Sequence, residues 1–429
     1  MDHVVAAALI SLRGQAVLAS GDVGAAVRFV RVARRWTQQE LADRSGYSQA
    51  TISRIERGQT RAARDTDVLA DLAQVLDVPP AVFGLASQAH QCRTLDGVDR
   101  RDVLSGTVAL AVTALLPHGV AAAGRIDASQ VAQCWTALHR LNELDQHQGG
   151  ATAYQLSAGM SRRLQDAVRG GSYPPSVGEE LRRVTAMAMQ QTGWNAYDAG
   201  WEQQARQWWL ETVHFADLND TPEARVRALA TMALQASKDP GGGPEVVALA
   251  HAARTTAQRN EAMPTLLSLL AAREALGHAR AGDRAAATSC LEQSRGWLDH
   301  GRREGEPRWL CFWGPADLAW HETTVGLVTR DGKTAEAAAR AALASADADA
   351  FPRNHILYTA GLGSILTRLG QLDEAIAVTS DAVQRADAVR GSGRIVSDLH
   401  HTVDLLGKQN HPPARTFAIA AHRLLPTPV

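Results

Sequence analysis

Residues 36–58, WTQQELADRSGYSQATISRIERG, constrain the fold of this chain more than any other stretch. Thr37 followed by Glu40 is a capping box, so a helix is expected to open at Gln38 with Leu41 and Ala42 turned inward. Gly46 supplies a position able to take positive φ, and Ser48 is placed to cap a second helix. In that second helix Ile52 and Ile55 are three apart on one face, while Gln49, Ala50, Ser53 and Arg54 fall largely on the other. Gly58 is the expected left-handed stop. The pattern is two short helices around a glycine turn, with one face of the second packed and the other polar and open.

An outward row of glutamine and arginine is suited to reading base edges, since Gln pairs with adenine and Arg with guanine. Residues 23–85 resemble the lambda-repressor-type helix-turn-helix domain of the XRE family, on Arg31, Thr37-Gln38-Gln39-Glu40-Leu41-Ala42, Gly46, Ser48, Thr51-Ile52-Ser53-Arg54-Ile55-Glu56-Arg57-Gly58 and Leu72-Ala73 to Val78-Pro79. The resemblance implies that the second helix enters the major groove and the one before it crosses the phosphate backbone. Carried over residue by residue, Gln49, Ala50, Thr51, Ser53 and Arg54 become the base-facing surface, with Gln38 at a helix N-terminus a phosphate contact.

Charge fits that expectation. Between residues 28 and 64, nine arginines (28, 31, 34, 35, 44, 54, 57, 61 and 64) oppose only Glu40, Asp43 and Glu56, an excess suited to phosphate. Arg57, and Arg61 and Arg64 in the loop-like stretch after it, are expected to hold phosphates without specifying bases. The whole 429-residue chain has a formal net charge of −1, so a basic reader must be offset by an acidic remainder. Cys92, Cys134, Cys290 and Cys311 are scattered and form no metal or disulfide framework, which is natural for reduced cytoplasm. No run is long enough to span a membrane, and the apolar stretch Val4–Leu12 lacks a basic leader; it is expected to be a helix packed on the reader.

Beyond residue 100 no alternating strand pattern occurs, only Ala- and Leu-rich segments of helical period. Helices are predicted near 102–116, 128–146, 151–169 and 176–198, with Gly149-Gly150 and Gly170-Gly171 as stops and Pro174-Pro175 as a break. Residues 354–388 form the clearest unit: an apolar face of Ile356, Leu362, Ile365, Leu366 and Leu369, a turn at Gly370, then a second helix built on Ala375, Ile376, Val378, Ala382 and Val383. This unit resembles a tetratricopeptide repeat, with Leu362-Gly363 at the L-G position and Ala375 and Ala382 at small-residue positions. Breaks at Gly200, Gly241–Gly243, Gly282-Asp283, Gly332-Lys333 and Gly370 give a loose period of about forty residues, longer than the tetratricopeptide value of about 34. The expected architecture is therefore all-α: an extension (1–22), the helix-turn-helix domain (23–85), a linker (86–101) and a tetratricopeptide-like α-solenoid (102–429).

Such a stack has a concave wall able to hold elongated ligands. Of ten tryptophans, Trp194, Trp201 and Trp208 cluster, and Trp309, Trp313 and Trp320 are spaced as if on one helical face. Most such stripes are core, but these six are the candidates for a ligand groove. The layout resembles a large group of actinobacterial regulators, sharing GWNAYDAG at 193–200 and PRWLCF at 307–312, and in outline the Rap/Npr/PlcR/PrgX class. That resemblance implies tetratricopeptide domains that bind short signalling peptides and form dimers.

Catalytic motifs fail. His321-Glu322 would need a histidine at 325, where Val325 stands, and adjacent His400 and His401 point about 100° apart on a helix. Gly241–Gly243 is followed by Pro244 and not by a phosphate-cradling lysine. No enzyme, metal or cofactor is expected. The expected function is a cytoplasmic regulator that binds a double-stranded DNA operator as a homodimer and senses a peptide or small molecule. A DNA-tethered scaffold whose repeats bind a partner protein is the alternative.

Overall fold

The computed structural model describes residues 23–59, 66–78, 80–83, 125–260, 262–303, 305–348 and 350–427. Expectations for the N-terminal extension, the linker, the helix near 102–116, and Arg61 and Arg64 fall outside them. Every regular element among the described residues is helical; a lone bridge joins Arg125 and Ser172. Two compact units are distinguished, residues 1–141 with 162–181 and residues 142–161 with 182–429.

The first unit contains α1 (Val23–Ala33), α2 (Gln38–Ser45), α3 (Gln49–Glu56) and α4 (Thr66–Val75), followed by a 3₁₀ turn at Pro80–Phe83. The expected start signals hold. Thr37 Oγ1 accepts from the Glu40 amide while Glu40 bonds back to the Thr37 amide, and Ser48 accepts from the Thr51 amide. Gly46 and Gly58 take φ of +74° and +65°. Val27, Val30, Leu41, Ile52, Ile55, Leu72, Leu76 and Phe83 make one buried core. At Gly24 any Cβ would lie 2.4 Å from the Ile55 carbonyl oxygen, so α1 meets α3 at backbone contact.

Three long helices follow: α5 (Ala128–Gln148), α6 (Gly150–Gly170) and α7 (Pro175–Asp198). They match the expected spans to within two residues, and Gly149 turns the chain with φ +85°. Within the first unit, Trp135 donates to Glu180 at 3.2 Å.

The second unit continues with α8 (Glu202–Asn219), α9 (Pro222–Ala236), α10 (Gly243–Arg259), α11 (Pro264–Arg280), α12 (Arg284–Leu298), a 3₁₀ turn (Arg308–Phe312), α13 (Pro315–Val328), α14 (Gly332–Ser345), α15 (Pro352–Arg368), α16 (Leu372–Arg385), a 3₁₀ turn (Ala386–Val389), α17 (Gly393–Gly407) and α18 (Pro412–Leu424). Each helix packs on the next. The leading members of successive pairs also touch, α9 with α11, α11 with α13 and α15 with α17, so they form an inner layer. Proline opens α9, α11, α13 and α15, where the first amide needs no partner.

Small residues set the spacing between helices. A Cβ on Gly363 would come 2.3 Å from Thr379 Oγ1, which explains why α15 and α16 approach so closely. Ile356, Leu362, Ile365, Leu366, Ala375, Ala382 and Val383 are buried as expected, but Leu369 is not: the helix ends at Arg368 and leaves it 38% exposed.

The breaks expected at the glycines are present but turn differently, and one further expectation, on the tryptophans, needs correction. Gly200, Gly282 and Gly370 take positive φ, whereas at the Gly332 break Arg330 occupies the left-handed position (φ +60°) and Gly332 opens α14. Gly242 has φ −74° and precedes α10 in a right-handed conformation. Nor do Trp309, Trp313 and Trp320 share a helical face: Gly314 is extended and Pro315 starts a new helix, so Trp309 and Trp313 belong to the 3₁₀ segment and Trp320 to α13.

Candidate functional site

On α3, Gln49, Ala50 and Arg54 are exposed and Thr51 and Ser53 half-buried, while Ile52 and Ile55 are fully buried. The helix thus presents the five expected residues on its outer side. Arg54 Nε rests 3.3 Å from the Ala50 carbonyl, and Arg57 Nε and Nη2 donate to Ser53 at 3.1 and 3.2 Å, so both guanidiniums lie along the exposed flank. Gln38 sits at the first position of α2. Its Nε2 donates to Glu56 Oε2 at 2.8 Å and its Oε1 accepts from Gln49 Nε2 at 3.2 Å. What Gln38 has left for a phosphate is its main-chain N–H at the positive end of a helix and the second hydrogen of Nε2.

The charge inventory changes in one respect. Arg31 is 8% exposed and makes a two-pronged pair with buried Glu56, Nε to Oε1 at 2.5 Å and Nη2 to Oε2 at 3.0 Å, with Nη1 on the Trp36 carbonyl. Arg34 donates to the Leu76 carbonyl and to Asp77. These two arginines tie α1 to the rest of the core and are not free for phosphate. Among the described residues of this domain the exposed cations are Arg28, Arg35, Arg44, Arg54 and Arg57, with Arg44 lying 4.4 Å over the Trp36 ring. The Arg31–Glu56 pair was present in the sequence as part of the motif, but spacing alone does not separate a buried arginine from an exposed one.

In the second unit the tryptophans fall into two groups. Trp201 meets Tyr154 edge-on at 5.1 Å and Trp208 donates to Tyr154 Oη at 3.3 Å, while Trp320 packs on Tyr358 and fills the space over Gly361. Trp194 and Trp309 instead stand among charges, and Trp313 among polar groups. Trp194 donates to Asp145 Oδ2 at 3.0 Å and lies near Arg353 and Arg394; Trp309 donates to Glu223 and carries the Arg227 guanidinium at 4.9 Å; Trp313 is buried, donates to Ser268 and meets His321 edge-on at 5.0 Å.

Those charges form a network that pattern reading missed because its members lie far apart in sequence. Arg353 reaches Asp145 Oδ1 at 2.8 Å and Asp198 Oδ2 at 3.1 Å, and Asp198 also accepts from Ser392 Oγ, Arg394 Nη2 and the Gly150 amide. Burial pushes the Asp198 carboxyl up, but Arg353, Arg394 and the Gly150 amide outweigh it and hold the group below the usual carboxylate range. At Asp145 burial wins and its carboxyl is raised. Asp317 accepts from Tyr358 at 2.8 Å and Asn354 at 3.2 Å; burial pushes it up to about 7 against that bond and Arg273. It borders a cleft of about 220 Å³ shared with Phe312, Trp313, Phe351 and Tyr358. His321 is pushed down to about 3, first by burial and then by Arg273.

Among the described residues no cluster of His, Cys, Asp and Glu is arranged to hold a metal ion, and no helix is long and apolar enough to cross a membrane. Residues 27–83 match the family described as Helix-turn-helix. The chain is also 54% identical over 37 residues to the competence pilus inhibition repressor of Acinetobacter baylyi, a match covering 9% of this chain and 34% of that protein. The chain therefore spans about a third of the length of the curated relative it matches. With the capped α2, the left-handed Gly46 and the open face of α3, these likenesses identify the N-terminal domain as a helix-turn-helix of the XRE family.

Proposed function

We propose that this protein is a sequence-specific DNA-binding transcription regulator whose helical body dimerises and senses a peptide or small molecule. The observation that carries the first half is α3, with Gln49, Ala50, Thr51, Ser53 and Arg54 outward over a sealed apolar underside. Gln49 and Arg54 are the base readers, Ala50 and Thr51 offer apolar contact to a thymine methyl, and Arg57 with the Gln38 amide positions the phosphate backbone. Arg61 and Arg64 extend that basic flank in sequence. Dimerisation is part of the reading because one such module buries too little surface for tight specific binding, and two present half-sites about one helical turn apart. The paired helices, resembling tetratricopeptide repeats, supply the sensor: a ligand shifts operator affinity by its differential affinity for two arrangements of the body.

Selection of genomic fragments by the purified protein tests this reading. Enrichment of a sequence with two related half-sites is expected. Gln49→Ala or Arg54→Ala should each erase about 1–3 kcal/mol of discrimination at one base position while the circular dichroism spectrum stays unchanged. Arg57→Ala should lower affinity for all duplexes alike and reduce the salt slope by about 1. If no duplex is retained at low salt, the reading fails.

A further inference from the structure

Asp317 lies at the bottom of the cleft of about 220 Å³, which opens between the 3₁₀ turn at Arg308–Phe312 and the first turns of α13 and α15. It is 9% exposed, and Trp313 and Tyr358 beside it are fully buried, whereas Arg302, Cys311 and Asp347 at the mouth are exposed. Half-buried Phe312 and Phe351 line the space between. The cleft therefore runs from a polar rim to one buried carboxyl among four aromatic rings.

That carboxyl is only half partnered. Oδ1 accepts from Tyr358 and Asn354, both neutral. Oδ2 has no donor among the described residues, yet it is not sealed off as Gln190 Oε1 and Arg273 Nε are, so its open surface belongs to the cleft. No arginine, lysine or histidine nitrogen of the described residues lies within 4.0 Å of the carboxylate. Arg302 directs Nη2 to the carbonyls of Leu310, Cys311 and Trp313 and pairs Nη1 with Glu306 at 3.5 Å. Arg273 acts on Asp317 through space, while its Nη1 meets His321 Nε2 at 2.7 Å. His321 Nδ1 lies 2.7 Å from the Asp317 carbonyl, which can only accept, so the ring is neutral and adds no positive charge. Asp347 brings a second negative charge to the mouth. Burial outweighs the Tyr358 bond and Arg273, and the carboxyl keeps its proton up to about pH 7.

A group in that condition is short of positive charge, and aromatic faces beside it favour a cation that carries an apolar body. We propose that this cleft binds a small organic cation, a protonated amine on a flat apolar body, with the ammonium on Asp317 Oδ2 and the body against Phe312 and Phe351. A volume of about 220 Å³ lies below the roughly 300–1,000 Å³ of drug-sized sites, so the ligand is a small amine or the first residue of a peptide. The assignment names the chemical class of the signal in the proposed function and rests on that reading only for its effect on DNA.

Thermal unfolding and calorimetry of the full chain at pH 7, titrated with phenethylamine, with phenylalaninamide and with neutral 2-phenylethanol, test the site. The amines at millimolar concentration should raise the melting temperature and the alcohol should not; phenylalaninamide acting as well as phenethylamine marks a peptide terminus, phenethylamine alone a free amine. Asp317→Asn keeps an acceptor for Tyr358 and should weaken the amines about tenfold or more, the worth of one charge-assisted hydrogen bond. Phe351→Leu should weaken them severalfold without touching the carboxyl. Phenethylamine should bind up to about tenfold more weakly for each pH unit below 7, because it must then displace the Asp317 proton, and Asp317→Asn should remove that slope. Of the groups turned to Asp317 from α11, α13 and α15, Arg273 stays charged and His321 and Tyr358 stay neutral over that range, with Arg302 and Asp347 facing it from the connecting segments. Equal responses to the amines and the alcohol, including none, overturn the inference, as does an amine affinity that neither Asp317→Asn nor acid lowers. A gel shift run alongside separates the two ideas: amine binding with unchanged operator affinity upholds the site and removes its regulatory role, whereas operator binding without amine binding does the reverse.

Discussion

The helix-turn-helix core and the inner face of the helical body both bury arginine, and they treat it differently. In the first, Arg31 has two prongs on Glu56 and a third bond to a main-chain carbonyl, with Gln38 donating to the same carboxylate. In the second, Arg273, Arg353 and Arg394 each leave an Nε–H without an acceptor, and Arg273 lacks a carboxylate altogether. A buried charge with full partners specifies one arrangement of a fold, whereas one left short keeps an appetite for something else. The first belongs to a module whose task is to be rigid while α3 is read, the second to a region proposed to respond.

The sharpest way to break that contrast is Arg31→Ala. It strands Glu56 in the core and should cost about 3–5 kcal/mol, enough to unfold a domain this small, while the double variant Arg31→Met/Glu56→Leu should recover most of the loss. Urea denaturation of the two variants, followed by the fluorescence of Trp36, measures the difference; equal stability would mean the pair is not structural.

Next in size is a pH effect on the body. Asp317 is raised from 3.8 to about 7 by folding, so its contribution to stability is full below pH 3.8 and is lost as pH rises to about 7. His321 is lowered from 6.5 to about 3, so its contribution is full above pH 6.5 and is lost as pH falls toward 3. Between about pH 4 and 6.5 the two oppose each other. Relative to the parent, Asp317→Asn should gain stability with rising pH across that window and His321→Gln should lose it, each by up to about 1.4 kcal/mol per pH unit. Parallel denaturation midpoints for all three proteins would remove the pair as titrating groups.

Two smaller effects sharpen the contrast through packing and capping. A Cβ at position 193 would fall 2.4 Å from Nε1 of fully buried Trp209, so Gly193→Ala should cost the body about 1–3 kcal/mol by overpacking. Ser48→Ala removes the cap of α3 and should cost about 1 kcal/mol, visible as faster amide exchange at Thr51.

The reader domain was legible because its determinants are local. Capping box, turn glycine and the Ile52–Ile55 spacing each act within one turn of helix, and each appears where the pattern placed it. Helices α5 to α7 were legible for the same reason. Arg31 was not, because its partner Glu56 lies 25 residues away and the arginine-rich surroundings suggested phosphate. The inner face was illegible as chemistry: Arg353 and Asp145 are 208 residues apart, and no periodicity links them. The aromatic spacing at 309, 313 and 320 misled because Gly314 and Pro315 interrupt the helix it assumed.

One consequence of the Asp198 cluster concerns biosynthesis. Ordinary stacks of helix pairs depend on nearest neighbours, so they can grow from the first repeat onward as the polypeptide leaves the ribosome. Here Asp198, which also accepts from the nearby Gly150 amide, has its other bonding partners at Arg353, Ser392 and Arg394. Asp198 cannot complete its polar contacts until nearly the whole polypeptide has emerged, and the finished cluster then ties the end of α7 to α15 and α17.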